Sequence, residues 1–241
     1  MLSALCAALL FPGCGGGGSL PVSPVGNAPP PGSRPERQAL DDAWWTGPLI
    51  AAGAATLPQG RVLVEPYVSH PDSLRSLTYL LYGVTDKLTA GLVPVFGTED
   101  SLTLQAQYRL SQFREGSPIP TTSVVVQHSL PASTTTVALR SQYYLWMPNG
   151  RIMRTRFHVS YATADDVSGV ITVNSSWEYS VTRNWVLALD FVHQRADFAV
   201  APAIEYNWSG RVGVIVGARW FVAGSNNNAT ITPIAAINVM F

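Results

Sequence analysis

The sequence predicts an all-β chain: a single transmembrane antiparallel up-and-down β-barrel of about 12 strands, with a disordered N-terminal leader. Three observations carry this expectation. Hydropathy alternates with period two from Arg61 onward; no apolar run approaches the roughly 20 residues that a spanning helix needs; and aromatic residues gather beside the turns.

Composition narrows the field first. The 241 residues are 47% hydrophobic and 12% charged, with a formal net charge of zero. A disordered chain would have fewer apolar groups and more net charge, and a nucleic-acid binder would carry a basic excess against phosphates. The mean hydropathy of +0.16, reached without a spanning helix, leaves a large soluble β-protein or a membrane barrel.

Both cysteines, Cys6 and Cys14, precede the periodic region, so that region has no thiol chemistry, disulfide or cysteine metal site, which suits an oxidising compartment. Leu2 to Phe11 is an apolar run of signal-peptide length, although the first basic residue is Arg34. Cys14 after Gly13 is a poor lipoprotein acceptor, because Phe11 and Pro12 break the small-residue pattern. Gly13 to about Arg37 is Gly, Pro and Ser with little to bury. The expected organisation is a signal-like segment at 1–18, a Pro/Gly-rich periplasmic leader at 19–58 and an outer-membrane barrel at 59–241.

Strand patterns begin near residues 61, 74, 87, 100, 118, 134, 150, 167, 183, 196, 211 and 227. Met153, Thr155, Phe157, Val159 and Tyr161 alternate with Arg154, Arg156, His158 and Ser160. Trp185, Leu187, Leu189 and Phe191 alternate with Ala188 and Asp190. Phe198 to Trp208 and Arg211 to Val222 repeat the rule. Val84 to Lys87, Pro148-Asn149-Gly150, Thr182-Arg183-Asn184 and Ser209-Gly210 are tight turns, and Gly224 to Asn228 is a looser loop. Pro94, Pro202 and Pro233 inside strands need positions where no ladder bond is required.

A soluble sandwich also alternates, but it carries its charges outside. Here the polar face is rich in Arg, Gln, Asn and Glu, and Lys87 is the only lysine, which is unusual for a soluble surface. Trp146, Trp177, Tyr179, Trp185, Tyr206 and Trp208 lie within a few residues of the turns at 148, 182 and 209, with Trp220 at the other end of its strand. That is the expected membrane-interface girdle. The sequence closes on Ala235, Ile237, Val239 and Phe241 on one face, like the carboxy-terminal strand through which outer-membrane proteins engage the barrel-insertion machinery.

Several segments then resemble one family: DDAWWTGPL (Asp41–Leu49), RVLVEPYV (Arg61–Val68), YGVTDKLTAGL (Tyr82–Leu92), AQYRL (Ala106–Leu110), YLWMPNGRI (Tyr144–Ile152), WEYSVTRNWVLALD (Trp177–Asp190) and EYNWS (Glu205–Ser209). They look like the Gram-negative outer-membrane transporter family named for the meta-pathway of phenol degradation, and the likeness covers nearly all of Asp41 to Phe241. The resemblance implies an outer-membrane barrel that passes small, often aromatic, compounds, and it brings no catalytic or ligand motif. The outer loops, among them Leu130–Thr134, Thr163–Ser168 and Gln194–Asp197, are brief, so any selectivity falls to the lumen wall.

The alternation points Arg61, Glu65, Gln105, Gln107, Arg109, Arg140, Gln142, Arg154, Arg156, His158, Glu178, Asp190, Glu205, Arg211 and Arg219 into the lumen. Glu178, Asp190 and Glu205 come from consecutive strands, with Arg154 and Arg156 on one side and Arg211 and Arg219 on the other. Such charges either pair into a side-chain plug or line a narrow polar pore with basic and acidic walls facing each other. A lipid hydrolase would draw on His128 beside Ser129, or on His193, but these sit on the fifth and ninth strands with no orienting acid. The expectation is a passive, non-enzymatic channel for small compounds, with no catalytic residue, metal or cofactor. Its partners would be outer-membrane lipid, the insertion machinery and small solutes, and not nucleic acid. A plugged structural barrel is the alternative.

Overall fold

The structure, a computed structural model, describes residues 53–69, 75–97, 100–113, 118–147, 151–164, 167–182, 184–194, 197–209, 212–223 and 231–241. Twelve strands succeed one another: β1 (Val62–Ser69), β2 (Arg75–Thr85), β3 (Leu88–Phe96), β4 (Ser101–Ser111), β5 (Thr121–Leu130), β6 (Thr134–Trp146), β7 (Ile152–Ala164), β8 (Val167–Ser180), β9 (Trp185–Gln194), β10 (Asp197–Ser209), β11 (Val212–Ala223) and β12 (Ile231–Met240). Each pairs antiparallel with its sequence neighbour, and β12 returns to β1, so the sheet closes on itself. Closure leaves every strand with two partners, the condition for holding β-structure in a medium that offers no hydrogen bonds.

The strands form where the period-two pattern places them, with few offsets. β5 begins at Thr121 rather than near 118, because Pro118 and Pro120 have no N–H to give the ladder. β12 is described from Ile231, beyond the expected start near 227. The predicted turn residues 148–150, 183 and 210 lie outside the described residues. The turn between β2 and β3 is only Asp86 and Lys87, with the Lys87 N–H donating to Thr85 Oγ1 at 3.2 Å. The strand prolines Pro94, Pro202 and Pro233 all take outward positions.

Polarity is inverted relative to a soluble protein. Leu104, Leu139, Phe157, Ile171, Ile204 and Val216 stand exposed on the outer face, whereas Glu65, Arg140, Arg154, Arg156 and Asp190 are buried inside. An apolar exterior around a polar interior is stable only where the exterior meets hydrocarbon.

Candidate functional site: the barrel lumen

The inner wall has two halves. Six strands consecutive around the ring, β10, β11, β12, β1, β2 and β3, turn a mainly apolar surface inward, built from Leu63, Tyr67, Leu77, Tyr79, Leu81, Val93, Ala201, Ala203, Ile215, Ile234 and Ala236 and interrupted by Glu65, Glu205, Arg219 and Asn238. The other six, β4 to β9, present Gln105, Gln107, Ser123, Gln127, Arg140, Gln142, Arg154, Arg156, His158, Asn174, Ser176, Glu178 and Asp190. The lumen is therefore amphipathic across its width, where the alternation predicts polar residues throughout. The signal was present in β2, where SLTYLLYGV (Ser76–Val84) is apolar at both parities, the mark of a strand buried on both faces.

Charges concentrate in the polar half. Arg154 and Glu178 are register partners on β7 and β8, and their side chains are in contact. Arg156 Nε lies 3.3 Å from Glu178 Oε1. Arg156 is also in electrostatic reach of Asp190, Glu205, Tyr144 and Tyr67, and Glu65 lies within reach of Arg156 and Glu205. Because β1 and β7 stand opposite each other in the ring, the interaction of Arg156 with Glu65 and Tyr67 spans the lumen. Glu65 Oε1 accepts a hydrogen bond from the Tyr67 hydroxyl at 3.0 Å. Acidic and basic groups thus meet in two ways, across the lumen between Arg156 and Glu65 and along the wall between adjacent strands. Antiparallel register also interleaves the two signs side by side on adjacent strands, and the wall opposite them is mainly apolar apart from Glu65 and Glu205.

The other expected lumen residues divide between the two halves and the ends of the barrel. Gln105 and Gln107 are buried on β4, with Gln127 Nε2 donating to Gln105 Oε1 at 2.7 Å. Arg140 Nη1 donates to Gln107 Oε1 at 2.8 Å, and Gln142 bonds Tyr144. Arg219 on β11 stacks over the Phe221 ring, its guanidinium carbon 5.2 Å from the centroid. Arg61 and Arg109 take inward positions near the end that holds the termini and are partly buried, while Arg211 lies outside the described residues. Trp177, Trp185, Trp208 and Trp220 are exposed on the outer face, Tyr179 and Tyr206 are half-buried there, and the Trp146 side chain lies outside the described set. Trp185 packs on Tyr206 with ring centroids 4.7 Å apart. Tyr82 and Tyr108, which the sequence pattern did not single out, are exposed beside the β2–β3 turn, and Phe96 and Tyr161 are exposed toward the far end. Phe241 exchanges backbone hydrogen bonds with Val62 and leaves its ring exposed. His128 Nδ1 and Thr135 Oγ1 are 3.1 Å apart, and His193 is four strands away on β9.

The periodicity held no signal for the segment ahead of β1. Residues 53–60, assigned in the sequence mostly to the leader, form a strap folded into the barrel mouth. Ala54 and Leu57 are buried there, Leu57 within the apolar half. Gln107 Nε2 donates to the carbonyls of Ala55 (2.8 Å) and Gly53 (3.3 Å), and the Leu57 N–H donates to Thr89 Oγ1 (2.8 Å). The Thr56 hydroxyl donates to the Asp86 carbonyl (2.6 Å) and the Gln59 N–H to Asp86 Oδ1 (2.9 Å). Gly60, with φ of 79°, makes the bend into β1. Gly83 lets the Pro58 carbonyl approach where any Cβ would collide with it.

With this geometry in view, comparison with solved structures places the fold. The KdgM porin aligns with a TM-score of 0.57 at 8% identity, covering 75% of this chain and 98% of that one. The COG4313 outer membrane channel from Pseudomonas putida F1 aligns at 0.55 and 12% identity, covering 78% and 98%. The NanC porin aligns at 0.50 and 9%, covering 75% and 98%. No protein-family model and no curated sequence matches the chain. The relation that stands is therefore one of fold, to outer-membrane β-barrel channels, and the narrower likeness to the phenol-degradation family has no family model behind it. The chain is a closed antiparallel barrel of twelve strands of the outer-membrane kind.

Proposed function

We propose that the barrel is a passive outer-membrane channel for small solutes, narrowed by long lumen side chains and by the strap at its mouth. The observation that carries this reading is the two-sided lumen. A structural filler needs only to pack and to pair its polar groups, yet Ser123, His158 and Asn174 are buried with polar atoms that no group among the described residues meets. Each such group costs about 1–3 kcal/mol in a dry interior, whereas water or a solute satisfies it. Arg154, Arg156 and Gln142 are long side chains buried on the inner wall, and such side chains move by rotamer change without disturbing the backbone. The apolar half, with Tyr67 and Tyr79 packed edge to face at 5.8 Å, suits aromatic or otherwise apolar bodies.

A second reading, a barrel with a plugged lumen, is favoured by the near-zero exposure of Arg140, Arg154 and Arg156 and by the strap in the mouth. Planar-bilayer recording separates the two. The channel reading expects small ion currents from the folded protein, altered in conductance or ion selectivity when Arg154→Gln, Arg156→Gln and Arg219→Gln are combined. If the folded barrel passes no ions, or the triple variant leaves both quantities unchanged, the pore reading is wrong.

A further inference from the structure

In the polar half, four side chains stand in one cross-strand row. Ser123 on β5 is the register partner of Arg140 on β6, Arg140 of His158 on β7, and His158 of Asn174 on β8. All four are at most 2% exposed. Arg140 gives Nη1 to Gln107 but among the described residues has no partner for Nε or Nη2; Ser123 Oγ, both His158 ring nitrogens and Asn174 Oδ1 are likewise unmet there. The nearby carboxylate of Glu178 is engaged by Arg154 and Arg156, and no ion pair joins Arg140 to any acid among the described residues. Arg156 adds a second positive charge within reach of Arg140, and Tyr79 of the apolar half is also in its electrostatic range.

We propose that this row is a binding site for the carboxylate of a small organic anion whose apolar body lies against Tyr79, Leu77 and Leu81. Arg140 Nε and Nη2 form the edge of a guanidinium fork that matches two carboxylate oxygens. Ser123 and the Asn174–His158 pair flank it with further hydrogen-bonding capacity. The opposite half of the lumen is the complementary surface for an aromatic or aliphatic body, so a solute with one charged end fits both walls at once. Entry requires that long side chains swing aside and, from the end that holds the termini, that the strap at residues 53–60 lift. As a route for uptake the inference rests on the channel reading; as a binding site it does not.

The test is titration of benzoate into the intact, detergent-folded chain by calorimetry, with benzyl alcohol as the uncharged counterpart. Saturable binding of benzoate is expected, with Arg140→Gln weakening it by roughly tenfold or more, as loss of a charge-assisted bidentate contact implies. Ser123→Ala, which removes one hydroxyl from the row and keeps the guanidinium, is expected to weaken it several-fold. Retained heat-modifiable gel migration shows that each variant is folded. Equal benzoate affinity in the wild type and both folded variants, no saturable binding to the wild type, or benzyl alcohol binding as tightly as benzoate would overturn the site. Parallel bilayer recording keeps the two readings apart. Arg140-dependent binding without ion current supports the site and removes the channel, whereas current with Arg140-independent binding leaves the channel and removes the site.

Discussion

Glu178→Gln is the sharpest perturbation of the lumen, because it removes a charge and leaves shape almost unchanged. Glu178 is buried between Arg154, which it touches, and Arg156, whose Nε is 3.3 Å from its carboxylate. An exposed pair of this kind would contribute about 0–1 kcal/mol. Breaking a buried one by taking away a single partner costs about 3–5 kcal/mol, because the surviving charge is left uncompensated, and here two guanidinium groups share the loss. The assay is urea unfolding of the barrel in lipid vesicles, tracked by fluorescence of tryptophans such as Trp177 and Trp185 on the lipid-facing side. The expected loss is about 3 kcal/mol, at the low end of that range. Adding Arg154→Gln should restore part of it, giving a coupling above about 1 kcal/mol in the double-mutant cycle. A loss below about 1 kcal/mol with no coupling would refute the reasoning, because it would mean that the cluster is wetted like a protein surface.

The mouth and the outer wall give two further expectations. Gly83→Ala puts a methyl group against the Pro58 carbonyl and should lift the strap: limited proteolysis at residues 53–60 should accelerate while the barrel stays folded, and Gln107→Ala should act in the same direction by removing two strap hydrogen bonds. Leu139→Arg, on the exposed outer face of β6, should destabilise the vesicle-folded barrel by about 2–4 kcal/mol in urea titration, with a negligible effect arguing that this face does not meet lipid.

The barrel was legible because its code is redundant. Arg154, Arg156 and His158 against Met153, Thr155 and Phe157 state which way β7 faces, and its neighbours repeat the statement. Boundaries slipped where the chemistry is local, as at Pro118 and Pro120 before β5. The amphipathic lumen was harder to see. Alternation assigns a polar residue to one face but is silent where both faces are apolar, so Leu77, Tyr79 and Leu81 went uncounted as lumen wall. The strap was invisible for a different reason: its hold comes from Gln107, Thr89 and Asp86, all far along the chain, and a short segment held by tertiary hydrogen bonds has no period to read. The particular pairs of charges could not be read, because sequence gives parity but not register. Only the alignment of β7 with β8 sets Arg154 beside Glu178.

The seam between β1 and β12 has a consequence for how the molecule comes together. Every other neighbouring pair of strands is joined by a connection short enough to zip as a hairpin, but Val62 and Phe241 must find each other from opposite ends of the barrel sequence. Chain entropy makes that pairing the least favoured to start and hence the natural final step, after ten intervening strands have formed a curled but open sheet. Until then both margins of the sheet are unsatisfied templates for a foreign strand. The reciprocal bonds between Val62 and Phe241 thus act as a clasp, and the interval before it shuts is when this chain is most exposed to mispairing.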